Sequence, residues 1–142
     1  MPVTDHAYGW SMTSGGRLPI SITDAIAALT FLGARTPTTT AQEAKDAFKL
    51  LSPYEEGGIF VGHWAGNSEW ERHTAGDEIV MVLDGTTRIS FITDDTELAA
   101  TLRTGEFVVV PQGTWHRFET PEGVKVLSVT PQPTDHSPGR PV

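Results

Sequence analysis

The sequence contains no cysteine. Disulfides, thiolate metal ligands and cysteine nucleophiles are therefore excluded together. Any metal must be held by His, Asp or Glu, donors that favour first-row divalent ions over soft ones. Positive charge is also scarce: ten Lys and Arg are scattered singly against 18 Asp and Glu, for a formal net charge of −8. With no basic stripe to neutralise phosphates, neither nucleic acid nor an anionic membrane surface is an expected partner. Long hydrophobic runs are missing as well. The longest, such as "IVMVL", fall far short of the ~20 residues that span a membrane. The stretch "MPVTDHAYGW" lacks the positive-then-apolar pattern of a secretory signal, so a cytoplasmic location is expected. Three catalytic signatures are absent: G-x-S-x-G, a phosphate-binding Gly-rich loop ending in Lys, and H-E-x-x-H.

What is present suits one globular domain. The 142 residues are 38% hydrophobic and 20% charged, and a chain of that size buries roughly 70% of its unfolded surface. Residues 1–19 show no period and read as an arm. "SITDAIAALTFLG" fits a helix over 21–33, with Ser21 and Asp24 as a capping box and Ile22, Ile26 and Leu29 on one face. "TAQEAKDAFKLL" repeats the pattern over 40–51, with Thr40 and Glu43 as the box and Ala44, Ala47, Phe48 and Leu51 as the stripe. The first 56 residues are thus expected to form an arm and two short helices that pack on the remainder of the chain or on a partner subunit.

From Gly57 the texture changes. Short β-branched and aromatic runs, "GIFVGHW", "SEWERH", "EIVMVLD", "TRISFI", "ELAATLR", "EFVVVP", "WHRF" and "VKVLSVT", alternate with turn residues. That spacing predicts a closed antiparallel sandwich or barrel over 57–130. The tail from 131 to 142 is proline-rich and is expected to be irregular.

Histidine occurs at five positions, 6, 63, 73, 116 and 136. On a strand, residues two apart point the same way, so Glu71 and His73 in "WERHTAGDE" share one face. Glu78 opens the next strand after the turn and can return to the same interior. His116 follows "PQGTW" on another strand. Four side chains bearing lone pairs would converge inside an apolar shell, which is costly unless they share a cation.

These residues carry a resemblance to the cupins, single-domain β-barrels of the jelly-roll type. The family's first motif is met by "GNSEWERHTAGDEIVMVLDG" through His73, Glu78 and Gly85, and its second by "GEFVVVPQGTWHRFET" through Gly105, Pro111, Gly113 and His116. The resemblance covers about residues 57 to 130. It departs from the pattern at Glu71, where the first histidine would stand, and at Thr120, where Asn is frequent. It implies an all-β jelly-roll barrel with an N-terminal helical extension, a homodimer, and a divalent metal (Fe, Mn, Ni or Zn) at Glu71, His73, Glu78 and His116. The implied activity is oxygenase- or isomerase-type work on a small organic molecule. A non-catalytic ligand-binding or sensing cupin, with or without metal, is the alternative.

Glu71 has three readings. As a ligand it makes a two-His, two-carboxylate site that neutralises a divalent ion and weakens attraction for anionic substrates. Beside the metal it is a candidate catalytic base, leaving His73, Glu78 and His116 as ligands. Without metal it would hydrogen-bond His73 or His116. His63 shares a face with Ile59 and Val61 and reads as a core residue; His6 and His136 read as solvated. Asp77 reads as a turn residue. Trp70 with Arg72 and Trp115 with Arg117 are expected to form a stacked ladder on the face opposite the site.

Overall fold

The structure, a computed structural model, describes residues 18–141; most of the arm at 1–19, including His6, lies outside them. Two short helices and nine strands follow one another: α1 (Ile22–Ala27), β1 (Leu32–Arg35), α2 (Ala41–Ala44), β2 (Phe48–Tyr54), β3 (Gly57–Asn67), β4 (Trp70–His73), β5 (Glu78–Thr93), β6 (Thr96–Arg103), β7 (Phe107–Val110), β8 (His116–Pro131) and β9 (Thr134–Ser137). No helix among the described residues is long and apolar enough to cross a membrane.

Both helices begin where the sequence indicates and end sooner. Ser21 accepts the Asp24 backbone N–H, and Thr40 with Glu43 closes a full capping box. The first helix stops at Ala27, and Leu32–Arg35 then runs parallel to β3. The second makes a single turn, and residues 48–54, expected to continue a helix to 51, pair antiparallel with β3 instead. A stripe spaced i, i+3, i+4, i+7 also contains alternating positions. Here the ladder to β3 outweighs helix propensity, because Phe48 fits over Gly62 while Leu51 is buried against Val61.

The strands form a cupin-like β-sandwich. One hydrogen-bonded path runs β1-β3-β8-β4-β9, β2 adds to β3, and β5 pairs with β6, β7 and β8. Among the described residues this path does not return on itself, so the expected closed barrel is an open sandwich. β5 and β8 are each 16 residues long and merge runs that the sequence separates into two strands each. They bend together where Gly85 faces Val124 and the register shifts. Gly85 has φ +94°, and a Cβ there would strike the carbonyl of Gly123.

β3 carries two apolar faces. Val61, with Leu51, packs against Ala25 and Ile26 of α1, while Trp64 turns inward to Val80, Val82, Ile89 and Val124. His63, expected in the core, is only half-buried, its ring 4.7 Å from that of the exposed Phe31. The proline-rich tail departs from expectation. Residues 134–137 form β9 and pair with β4 in register, Trp70↔Ser137 through His73↔Thr134. Arg72 lies over Trp115 at 4.7 Å and Arg117 over Trp70 at 5.2 Å. This is the expected ladder, with Asp135 of β9 accepting from Arg72 at 2.8 Å.

Candidate metal centre

The chemistry collects where strands end. His73 closes β4, Glu78 opens β5 and His116 opens β8; all three are buried, His116 completely. Glu71 stands directly opposite His116 in the β4–β8 ladder, so both project from the same face. The turn 74–77 and the loop 111–115 brace this end. Gly113 N–H donates to His73 O, Gln112 N–H to Asp77 Oδ1, and the Gln112 side chain to Thr74 O, at 2.7–2.8 Å. Asp77 is thus a turn residue whose carboxylate ties two loops together.

Each imidazole is oriented from behind. His116 Nδ1 lies 3.0 Å from Thr114 O, and a carbonyl only accepts, so Nδ1 holds the proton and Nε2 turns inward. Thr134 Oγ1 donates to Gln132 Oε1 and lies 2.9 Å from His73 Nδ1. Its single proton is committed, so it accepts from His73 Nδ1–H, and His73 Nε2 also faces inward. Both converge on Glu78 Oε1, at 3.3 Å from His73 Nε2 and 3.0 Å from His116 Nε2. Glu78 Oε2 is held by Thr130 Oγ1 at 2.7 Å.

His73 Nε2, Glu78 Oε1 and His116 Nε2 are cut off from solvent and lack a well-directed hydrogen bond. Lone pairs of three buried atoms thus meet at one point, which is unfavourable unless a proton or a cation sits among them. Donor types, burial and direction all suit a divalent cation held by nitrogen and oxygen. Glu71 lies beside the two imidazoles: its carboxylate and both rings have candidate ligand atoms within 4.8 Å of one another. Glu71 is less enclosed, with its Oε2 3.6 Å from His136 Nδ1.

The charges are strongly coupled. Burial would raise the Glu78 carboxyl, but the His116 and His73 Nε2 atoms beside Oε1, once protonated, hold it down to about 2. Burial also opposes the charged form of His116, yet its contacts with Glu78 push its pKa above the ordinary histidine value. Glu71 is raised, first by burial and then by the like charge of Glu78. For the metal-free protein the signs run in opposite directions. The depressed Glu78 contributes stability above the ordinary carboxylate range that is lost as pH falls towards about 2. The raised His116 contributes stability below ~6.5 that is lost as pH rises through its folded value. The raised Glu71 also loses stability as pH rises through its folded value, so urea denaturation of chelator-treated protein is expected to show greatest stability towards the lower end of the window from about pH 4.5 to 6.5.

Glu71, His73 and Glu78 line a cavity of about 480 Å³, together with Phe48, Phe60, Trp64, Val80, Phe118 and Val126, while the fully buried His116 is not part of its lining. Of the positions singled out in the sequence, Glu71, His73, Glu78 and His116 come together here; His63 does not. His136, expected to be solvated, is half-exposed at the cavity edge with its Nδ1 2.7 Å from Glu69 Oε1. Thr120 is buried and bonds Thr87 at 2.6 Å, away from the cluster. Sequence reasoning missed Arg35, Thr130 and Thr134. Thr130 had a signal, since Ser128 and Thr130 are polar at alternating inward positions; Arg35 and Thr134 had none.

Fold and site together define a small β-sandwich enclosing a His/carboxylate cluster. Residues 62–130 match the family model described as Cupin domain, so this stretch of the chain is a cupin domain. Solved structures agree. Protein NMB1881 from Neisseria meningitidis is 18% identical over 84% of this chain and all of that one, with a TM-score of 0.57. A cupin-2 domain-containing protein from Shewanella frigidimarina is 26% identical over 60% of this chain and 79% of that one, at 0.51. The hydroquinone 1,2-dioxygenase PnpCD, solved with Cd2+ and 4-hydroxybenzonitrile, is 19% identical over 59% of this chain, at 0.51. The match spans 63% of that dioxygenase chain, less than two thirds of it. No curated protein matches the sequence.

Proposed function

We propose that this cupin is a metal-dependent enzyme acting on a small organic molecule by oxygenase- or isomerase-type chemistry. The observation that carries the reading is the meeting of His73 Nε2, His116 Nε2 and Glu78 Oε1 at one buried point. These three and Glu71 would hold the cation. When bound, a divalent metal polarises a substrate oxygen or O2 at its open positions. The chain supplies the rest. Thr114 and Thr134 keep the imidazole nitrogens aimed inward, Thr130 fixes Glu78, and Phe60, Trp64 and Phe118 form an apolar stretch of the cavity wall. The fold shared with a dioxygenase makes O2 consumption the first activity to assay.

The test is elemental analysis of untagged protein, alone and after reconstitution with Fe(II), Mn(II), Ni(II) or Zn(II). About one metal per chain is expected in the wild type and background levels in His116→Ala. Glu71→Ala is expected to lose the metal too; if it keeps it, Glu71 acts beside the metal as a base. No stoichiometric metal under any condition would leave the ligand-binding reading in its place.

A further inference from the structure

The cavity holds a cation that the His73–Glu78–His116 cluster does not use. Arg35 is the last residue of β1, where the backbone lies so close to Gly66 of β3 that a Cβ there would strike the Arg35 carbonyl. Gly66 has φ +117°, a backbone open mainly to glycine, so this crossing sets where the Arg35 side chain starts. The guanidinium then lies over the ring of Trp64 at 4.4 Å and reaches that of Phe48 at 5.1 Å. It lines the same cavity as Glu71, His73 and Glu78.

Stacking of this kind orients a guanidinium without using its N–H groups. Arg35 makes no side-chain hydrogen bond or ion pair among the described residues; Glu71 and Glu69 act on it only through space. Those carboxylates have other partners. Glu69 is in contact with His136 at 2.7 Å, and Glu71 stands in the His73–His116 group. If Glu71 and Glu78 balance a divalent cation, Arg35 is left as an unmatched positive charge facing the cavity. Its fork of N–H donors has no partner among the described residues, and such a fork suits a carboxylate through two parallel hydrogen bonds. The surrounding wall of Phe60, Phe118, Val80 and Val126 is apolar, and about 480 Å³ accommodates a small molecule.

We propose that Arg35 anchors the carboxylate of a small ligand with an apolar body, holding that body in the cavity beside the His73–Glu78–His116 cluster. The proposal deepens the functional reading and rests on the same cavity being the binding site. It also answers the disadvantage that the extra carboxylate Glu71 brings for anionic substrates, because the compensating cation comes from a strand outside the cupin motifs.

The probes are benzoate and its neutral near-isostere benzamide, titrated by calorimetry into full-length protein that is Zn(II)-loaded or chelator-treated. The metal-free arm separates Arg35 from direct binding of carboxylate to the metal. Benzoate is expected to bind at least ~10-fold tighter than benzamide in the zinc-loaded arm, and by a smaller factor in the metal-free arm, where the charges of Glu71 and Glu78 are not balanced. The preference should fall to about 1 in Arg35→Met and be partly kept in Arg35→Lys, with zinc content unchanged in both. Absence of a preference in the metal-free wild type, its survival in Arg35→Met, or no binding of either probe overturns the proposal. The wild-type comparison decides even if Arg35→Met fails to fold. Should the protein take up no zinc, the metal reading fails while the metal-free titration still decides the role of Arg35.

Discussion

Glu78→Ala is expected to empty the metal centre, lowering metal affinity by more than the 10- to 100-fold typical of removing a group that only supports a ligand. The reason is geometric. Both imidazole Nε2 atoms converge on Glu78 Oε1, at 3.3 and 3.0 Å, from opposite strands. No other carboxylate among the described residues is as enclosed, and Glu71 lies partly towards His136. In the metal-free protein the substitution removes the Thr130 Oγ1 contact with Glu78 Oε2, while Ser128 Oγ remains 3.0 Å from that hydroxyl. Glu78→Gln serves as a companion variant, since it keeps the shape and one acceptor oxygen and removes the charge. Competitive titration with a chromophoric chelator, beside circular dichroism to confirm folding, measures both. Wild-type affinity in folded Glu78→Ala and Glu78→Gln would remove Glu78 from the ligand set.

The second large effect is expected from a residue with no local mark of function. Thr134→Val should reduce metal affinity by about 10- to 100-fold while changing the melting temperature little. Valine has nearly the volume of threonine and keeps the β9 backbone, but it cannot accept the proton on His73 Nδ1. The imidazole then loses the contact that sets its tautomer and ring angle, and its inward lone pair is no longer guaranteed. Thr134→Ser retains the hydroxyl and is expected to bind metal close to wild type. Equal affinity of the valine and wild-type proteins would mean that strand β4 alone orients His73. Effects on the neighbouring Arg72–Asp135 pair are expected to be small, because both partners are partly exposed.

His73, Glu78 and His116 could be read from spacing because their positions follow from local rules. Alternation along "WERH" puts Glu71 and His73 on one side, a short turn returns Glu78, and "PQGTW" delivers His116 at the start of a strand. The same rules marked the helix starts at Ser21 and Thr40, where a side chain caps the backbone three residues on. They failed where a segment's partner lies far away in sequence. "AFKLLSPY" can be drawn as a helix face or a strand, and only the edge of β3 selects the strand. The tail carries prolines and no strand pattern, yet β4 offers an unpaired edge that residues 134–137 complete.

The sequence by itself determined the donor types and the β-sandwich. Without cysteine, a site here has no thiolate donor, and strand alternation aims its nitrogen and oxygen donors inward. Tertiary structure decided what surrounds them: Thr134 behind His73, Thr130 behind Glu78, His136 beside Glu69, and Arg35 stacked on Trp64 at the cavity wall. Each of these contacts joins residues tens of positions apart through strand pairing. Pairing is set by which apolar faces and open edges remain to be covered, a property of the whole chain rather than of any short stretch.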